Sequence, residues 1–146
     1  MMLMKVRVKR FDKTLPLPEY KTSGAAAMDL YSRIDAVIQP QETIVLPTNI
    51  AMETPEGYVA FVLPRSGVSL KTPLRVANAP GTVDSDFRGD ADEIGVIMQN
   101  TGDRPITIKR GERIAQLAII PVEKVLWDEV DSLENENRGG FGTTGM

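Results

Sequence analysis

The sequence predicts an all-β protein, a sandwich, jelly roll or barrel of many short strands, and three observations carry that prediction. Apolar residues recur in short runs of strand type, Pro and Gly stand between the runs, and no long segment carries a helical period. In chain order the runs are 5–9, alternating through Val6 and Val8, then 43–46, 57–63, 93–99, 105–108, 113–120 and 125–127. Pro40, Pro47, Pro55-Glu56-Gly57, Pro80-Gly81, Gly102 and Gly111 fill the intervals, where turns favour a preset or left-handed φ. One helical turn is expected after Pro64, across 65–71, too short to change the class. Lys5, Arg7 and Lys9 read as the solvent face of the first strand.

Composition bounds the rest. A chain of 146 residues fits one domain able to bury a sizeable core. Charged residues at 25% and hydrophobic ones at 42% are the balance of a soluble globular chain. No apolar stretch approaches the ~18 residues that a membrane helix needs. The first residues lead straight into the alternating pattern with no signal-peptide apolar region, so a cytoplasmic location is expected. A net charge of -3 offers no basic field for DNA or RNA, although a small anion held by a few arginines is allowed. There is no Cys and no His. Disulfides, thiolate nucleophiles, imidazole bases, Ser-His-Asp triads and the usual zinc sites are therefore all excluded. Any proton chemistry must fall to carboxylates, and the natural metal is a hard, oxygen-bound ion such as Mg²⁺.

The chain divides into a β domain over 1–127, an acidic linker over 128–137 and a glycine-rich tail over 138–146. The linker carries Asp128, Glu129, Asp131, Glu134 and Glu136 and little apolar content. The tail sets Arg138, Phe141, Thr143 and Thr144 among glycines, so it has high backbone entropy and should order only on binding. An inert frayed end is the plain alternative for any such tail. The aromatic, the arginine and the two hydroxyls weigh against it.

Each motif has a bland reading beside its functional one. Gly140, Gly142 and Gly145 satisfy G-x-G-x-x-G, but only one residue follows, so no helix exists to present to a pyrophosphate. Backbone N–H groups there could still wrap phosphate oxygens. Asp84-Ser85-Asp86-Phe87-Arg88-Gly89 starts like a calcium loop, yet its fifth position is Arg88 and its twelfth is Gly95. What remains is a carboxylate-rich turn, which taken alone is more often solvated than catalytic. Arg65-Ser66-Gly67 puts a fork donor, a hydroxyl and a permissive backbone at a strand end, a trio suited to phosphate and equally an ordinary turn. Gln116 stands inside the apolar run 114–120, so it pairs with backbone or faces a site.

In this order the motifs resemble the five of the homotrimeric dUTPase family, spread over nearly the whole chain. The stretches are Ala25-Ala26-Ala27-Met28-Asp29-Leu30-Tyr31-Ser32, Pro64-Arg65-Ser66-Gly67, Gly81-Thr82-Val83-Asp84-Ser85-Asp86-Phe87-Arg88-Gly89, Gly111-Glu112-Arg113-Ile114-Ala115-Gln116-Leu117 and Arg138-Gly139-Gly140-Phe141-Gly142-Thr143-Thr144-Gly145. The resemblance implies a distorted jelly-roll subunit with at most one short helix. It also implies a trimer with shared active sites, the tail of one subunit closing over a site built by the others. The implied reaction is magnesium-dependent hydrolysis of dUTP to dUMP and pyrophosphate, which limits uracil in DNA and supplies dUMP for thymidylate synthesis. Asp84 takes the role of general base on the attacking water. Arg65, Ser66, Gly67 and Gln116 take the phosphates, with Thr143, Thr144 and Arg138 from the tail. Asn78 and a narrow hairpin from Gly81 through Thr82 and Val83 to Gly95 read deoxyuridine, and Phe141 stacks on the uracil. No direct protein ligand to the metal is implied, Asp29 contributing at most through a water.

Three features depart from the family pattern. Phe87 replaces the usual Tyr beneath the deoxyribose, keeping the ring and losing the phenol. Asp90, Ala91 and Asp92 look like an insertion in the hairpin return, and Arg138 lies closer to Phe141 than is usual. Two rival functions stand beside the hydrolase. A dCTP deaminase of the same fold would use a Glu base in a different third motif and would release ammonia from dCTP. A non-catalytic, nucleotide-binding regulatory trimer would release no pyrophosphate from dUTP.

Overall fold

The computed structural model describes residues 3–142. Its described residues form eleven strands and one short helix: β1 Val8–Arg10, β2 Met28–Tyr31, β3 Ala36–Ile38, β4 Thr43–Pro47, β5 Ile50–Met52, β6 Tyr58–Leu63, α1 Ser66–Lys71, β7 Leu74–Val76, β8 Gly81–Val83, β9 Gly95–Asn100, β10 Ile106–Ile108 and β11 Arg113–Pro121. Every pairing is antiparallel. A four-stranded sheet in the order β2-β11-β6-β8 and a three-stranded sheet β4-β9-β7 are flanked by the pairs β1-β5 and β3-β10.

The two larger sheets share one core. Leu30, Val62, Ile114 and Leu117 come from the first sheet, and Leu46, Leu74, Val96 and Met98 from the second, all in one buried cluster. Strand β9 shows why the packing holds. Its residues alternate half-buried and buried along Gly95–Asn100, so Val96, Met98 and Asn100 point into the protein while Gly95, Ile97 and Gln99 share the other face. Asn100 is a fully buried polar residue, and its amide donates to Ile38 O and Arg104 O while its carbonyl accepts from Gly102 N–H. That satisfaction is what makes a buried amide tolerable.

The expected runs appear as β1, β4, β6, β9, β10 and β11, and the helical turn as α1, with ends shifted by up to three residues. One does not. Residues 125–127 are in no strand, and Val125, Leu126 and Trp127 are 71%, 97% and 88% exposed, because nothing among the described residues pairs with them. The narrow hairpin is also corrected. Strand β8 pairs with β6, whereas β9 pairs with β4 and β7, so the segment between them crosses from one sheet to the other.

Candidate active site

The crossing from β8 to β9 makes a pocket of about 190 Å³. Asn78, Gly81, Thr82, Val83, Asp84, Phe87 and Gly95, seven of the residues expected from the sequence, line it together. Val62, Ile94 and Ile97 complete the wall and were not singled out by sequence. The period-2 pattern of β9 was the available signal for Ile97, since it shares a face with Gly95. The volume is below the roughly 300 Å³ at which drug-sized ligand pockets begin.

Local packing shapes the walls. A Cβ on Gly81 would meet the Val62 Cβ at 3.0 Å, so the close approach of β8 to β6 depends on glycine there. A Cβ on Gly95 would meet Val45 Cγ1 at 2.5 Å, which makes glycine at 95 a requirement of packing against β4. Past β8 the chain turns tightly, with Phe87 N–H donating to Asp84 O at 3.1 Å, and both side chains reach the pocket. Asp86 does not line it.

A second cluster lies across the four-stranded sheet. Gln116 on β11 is in register with Asp29 on β2 and with Leu63 on β6, so these positions sit on neighbouring strands about 4.8 Å apart. A register shift between Arg113 and Ala115 sets this alignment. Arg65 Nε donates to Asp29 Oδ1 at 2.8 Å and its Nη1 to Arg113 O at 3.3 Å. Arg113 Nη1 stands 3.5 Å from Asp29 Oδ2. Gln116 Nε2 donates to Pro64 O at 3.1 Å, so the half-buried amide has the backbone partner its setting demands. Ser66 and Gly67 open α1, where N–H groups lack an acceptor within the helix, and the space beside Gly67 is open. The Asp29–Arg65–Arg113 network was not read from sequence, because its members are far apart in the chain.

The tail makes a third piece. Phe141 is fully exposed and Arg138 Nε donates to the neighbouring Gly139 O at 3.3 Å. Thr143 and Thr144 lie outside the described residues. Among the described residues, neither the Arg65 cluster nor Arg138 and Phe141 of the tail line the pocket. The described residues therefore carry three separate parts.

Comparison with known proteins decides the family. The model of the dUTPase family matches residues 13–145. This chain belongs to the dUTPase family. A deoxyuridine 5'-triphosphate nucleotidohydrolase of Hydrogenobaculum sp. is 49% identical, covering 98% of this chain and 99% of its own. The protein of that name from Dictyoglomus turgidum is 46% identical over 99% of this chain and 100% of its own. Solved dUTPases share the fold. A mutant of the Staphylococcus bacteriophage 80alpha dUTPase with dUpNHpp superposes with a TM-score of 0.87 at 28% identity, covering 97% of this chain and 99% of its own. A mutant dUTPase from phage phi11 of S. aureus, with a structural Mg(II) ion, gives 0.81 at 26% identity, covering 90% of this chain and all of its own. The jelly-roll subunit expected from the sequence is thus the fold of this dUTPase chain as well.

Proposed function

We propose that the chain is a homotrimeric dUTP diphosphatase in which Asp84 activates the water that attacks the α-phosphorus of dUTP. The observation that carries this reading is the pocket, where Asp84 meets Asn78, Phe87 and the backbone of Gly81, Thr82, Val83 and Gly95. The base enters this space, and backbone N–H and C=O groups pair with its polar edge. A thymine methyl has no room, and mispaired cytosine leaves buried polar groups unsatisfied, the kind of mismatch that discriminates most strongly. The Phe87 ring lies along the sugar and blocks a ribose hydroxyl.

Asp84 at the pocket rim takes a proton from water as its oxygen bonds to phosphorus, and pyrophosphate leaves with the bond electrons. Such general-base assistance is worth roughly 10² to 10⁴ in rate. Arg65, Ser66, Gly67 and Gln116 of a neighbouring subunit hold the phosphates. Arg138, Phe141, Thr143 and Thr144 of a third close over them, Phe141 stacking on the uracil. Two features support the trimer. Among the described residues the chain's own phosphate cluster, Arg138 and Phe141 do not line its pocket, and the apolar side chains of Val125, Leu126 and Trp127 stand in water, an arrangement that invites a partner.

Magnesium fits this scheme as an ion held mainly by substrate. No group of three or more acidic side chains that could hold a metal lies together among the described residues. An ion bound through phosphate oxygens and waters asks little more of the protein than one carboxylate, and Asp29, in the Arg65 cluster, is the residue that would reach it through water. When bound, the ion would offset the negative charge of the phosphates.

Pyrophosphate release from dUTP with Mg²⁺, run beside dCTP, dTTP and UTP, tests the reading. Release from dUTP alone is expected. Background release from dUTP would point to a binding trimer, and ammonia from dCTP to a deaminase.

A further inference from the structure

We infer that Arg33 and Glu93 form a positioning pair for base selection, fixing the Ile94–Gly95 wall of the pocket, an inference that rests on the pocket's being the deoxyuridine site. The need for such a device follows from the topology. Strands β8 and β9, which supply the two walls, lie in different sheets and make no ladder with each other. The segment joining them also contains Asp90, Ala91 and Asp92, the first two exposed. Excluding one methyl group requires the second wall to stay in place to within a fraction of a methyl radius, in packing as tight as a protein interior.

Just after those three residues the chain becomes firmly held. The Glu93 carboxylate accepts both prongs of the Arg33 guanidinium, Nε at 2.8 Å and Nη2 at 3.0 Å, and the Asn49 N–H at 2.8 Å. The side chains of Arg33 and Glu93 are only 34% and 15% exposed. Bidentate, charge-assisted pairs of this kind are the strong and directional ones. Their foundations are fixed as well. Arg33 N–H donates to Pro47 O at 2.9 Å. Buried Asn49, in the left-handed region at φ 77°, grips Asp12 N–H and Asp12 O through its own amide, at 2.7 and 2.9 Å. The next residue, Ile94, donates to Ile50 O at 2.8 Å and accepts from Thr48 N–H at 3.0 Å and the Thr48 hydroxyl at 2.6 Å. By contrast Asp90, whose side chain is 92% exposed, is held by Lys9 at the surface. The anchor thus holds the pocket wall through groups that lie outside residues 90–92.

The test compares steady-state kinetics on dUTP and dTTP, with melting temperature, for the native chain, Arg33→Met, Arg33→Lys and the pocket control Asn78→Ala. Arg33→Met should raise KM for dUTP about tenfold with kcat within about threefold, and lower the dUTP over dTTP preference about tenfold, the low end of what one methyl is worth in a pocket. Arg33→Lys, which keeps the charge and loses the fork, should recover part of the preference. If Arg33→Met does not fold, Arg33→Lys should still show the reduced preference. A lowered melting temperature with unchanged KM and preference in the Arg33 variants, while Asn78→Ala raises KM, would overturn this inference and leave the pocket reading standing. Unchanged KM in Asn78→Ala would overturn the pocket reading and this inference with it.

Discussion

Arg65 Nε lies 2.8 Å from Asp29 Oδ1, and the two side chains are 23% and 12% exposed, so the protein itself fixes the guanidinium. Its Nη1 is held by Arg113 O, and among the described residues its Nη2 has no protein acceptor, which suits the phosphate contact proposed for it. If Asp29 acts on the substrate largely through Arg65, the two substitutions are coupled. Asp29→Ala and Arg65→Ala should each lower kcat/KM for dUTP, and the double variant should be little worse than the more damaging single one. A double-mutant cycle should give a coupling of roughly 0.5 to 3 kcal/mol. Additive losses would show that the residues act separately.

The exposed tail gives the next prediction. Deleting residues 139–146 should leave a folded oligomer of unchanged size, with kcat/KM for dUTP reduced at least tenfold. Stacking of one aromatic on a base is worth about 1 to 3 kcal/mol, and Phe141→Ala alone should reproduce much of the loss. Unchanged kinetics in both variants would mean that the tail is inert.

Trp127 is the single tryptophan of the chain and is 88% exposed within one subunit. In a trimer that covers residues 125–127, its emission should be blue-shifted relative to the unfolded protein. Light scattering should give three times the 16.0 kDa chain mass. Emission at the wavelength of a fully hydrated indole, or a monomer mass, would contradict the shared-site assembly.

A pH effect is expected at Asp12. The Thr14 hydroxyl, then the Arg110 guanidinium, hold the Asp12 carboxyl well below its usual range. A folded pKa below the unfolded one gives stability that is present above the unfolded value, near 4, and is lost as pH falls toward the folded value. Asp12→Asn should therefore lower the melting temperature at pH 6, and its gap from the native chain should narrow below about pH 4. A gap that stayed constant to pH 2 would place the effect in packing.

The parts legible in sequence were those written locally. The alternation along 93–99 and the apolar run 113–120 disclosed β9 and β11, and the Asp84 loop and Arg65 turn supplied candidates that the structure places at a pocket and in a side-chain cluster. Strands of three or four residues such as β5 and β7 were missed because a period of two cannot be established over so few positions. Reading Gly81 to Gly95 as one hairpin failed for a different reason: each arm pairs with a more distant strand, β6 or β4, and local turn chemistry does not reveal that choice. The Arg33–Glu93 anchor spans 60 residues and has no motif. The strand expected at 125–127 has apolar side chains that pair with no strand among the described residues, so its apolar pattern alone did not make a strand.

The most direct test of the central claim compares Asp84→Asn with the native chain, measuring dUTP affinity and turnover on the same preparation. The substitution keeps the size of the side chain and removes its ability to accept a proton. The account predicts affinity within a few-fold of native and a kcat lower by about 10² to 10⁴. Turnover retained within about tenfold, well short of the usual general-base effect, would show that Asp84 is not the base.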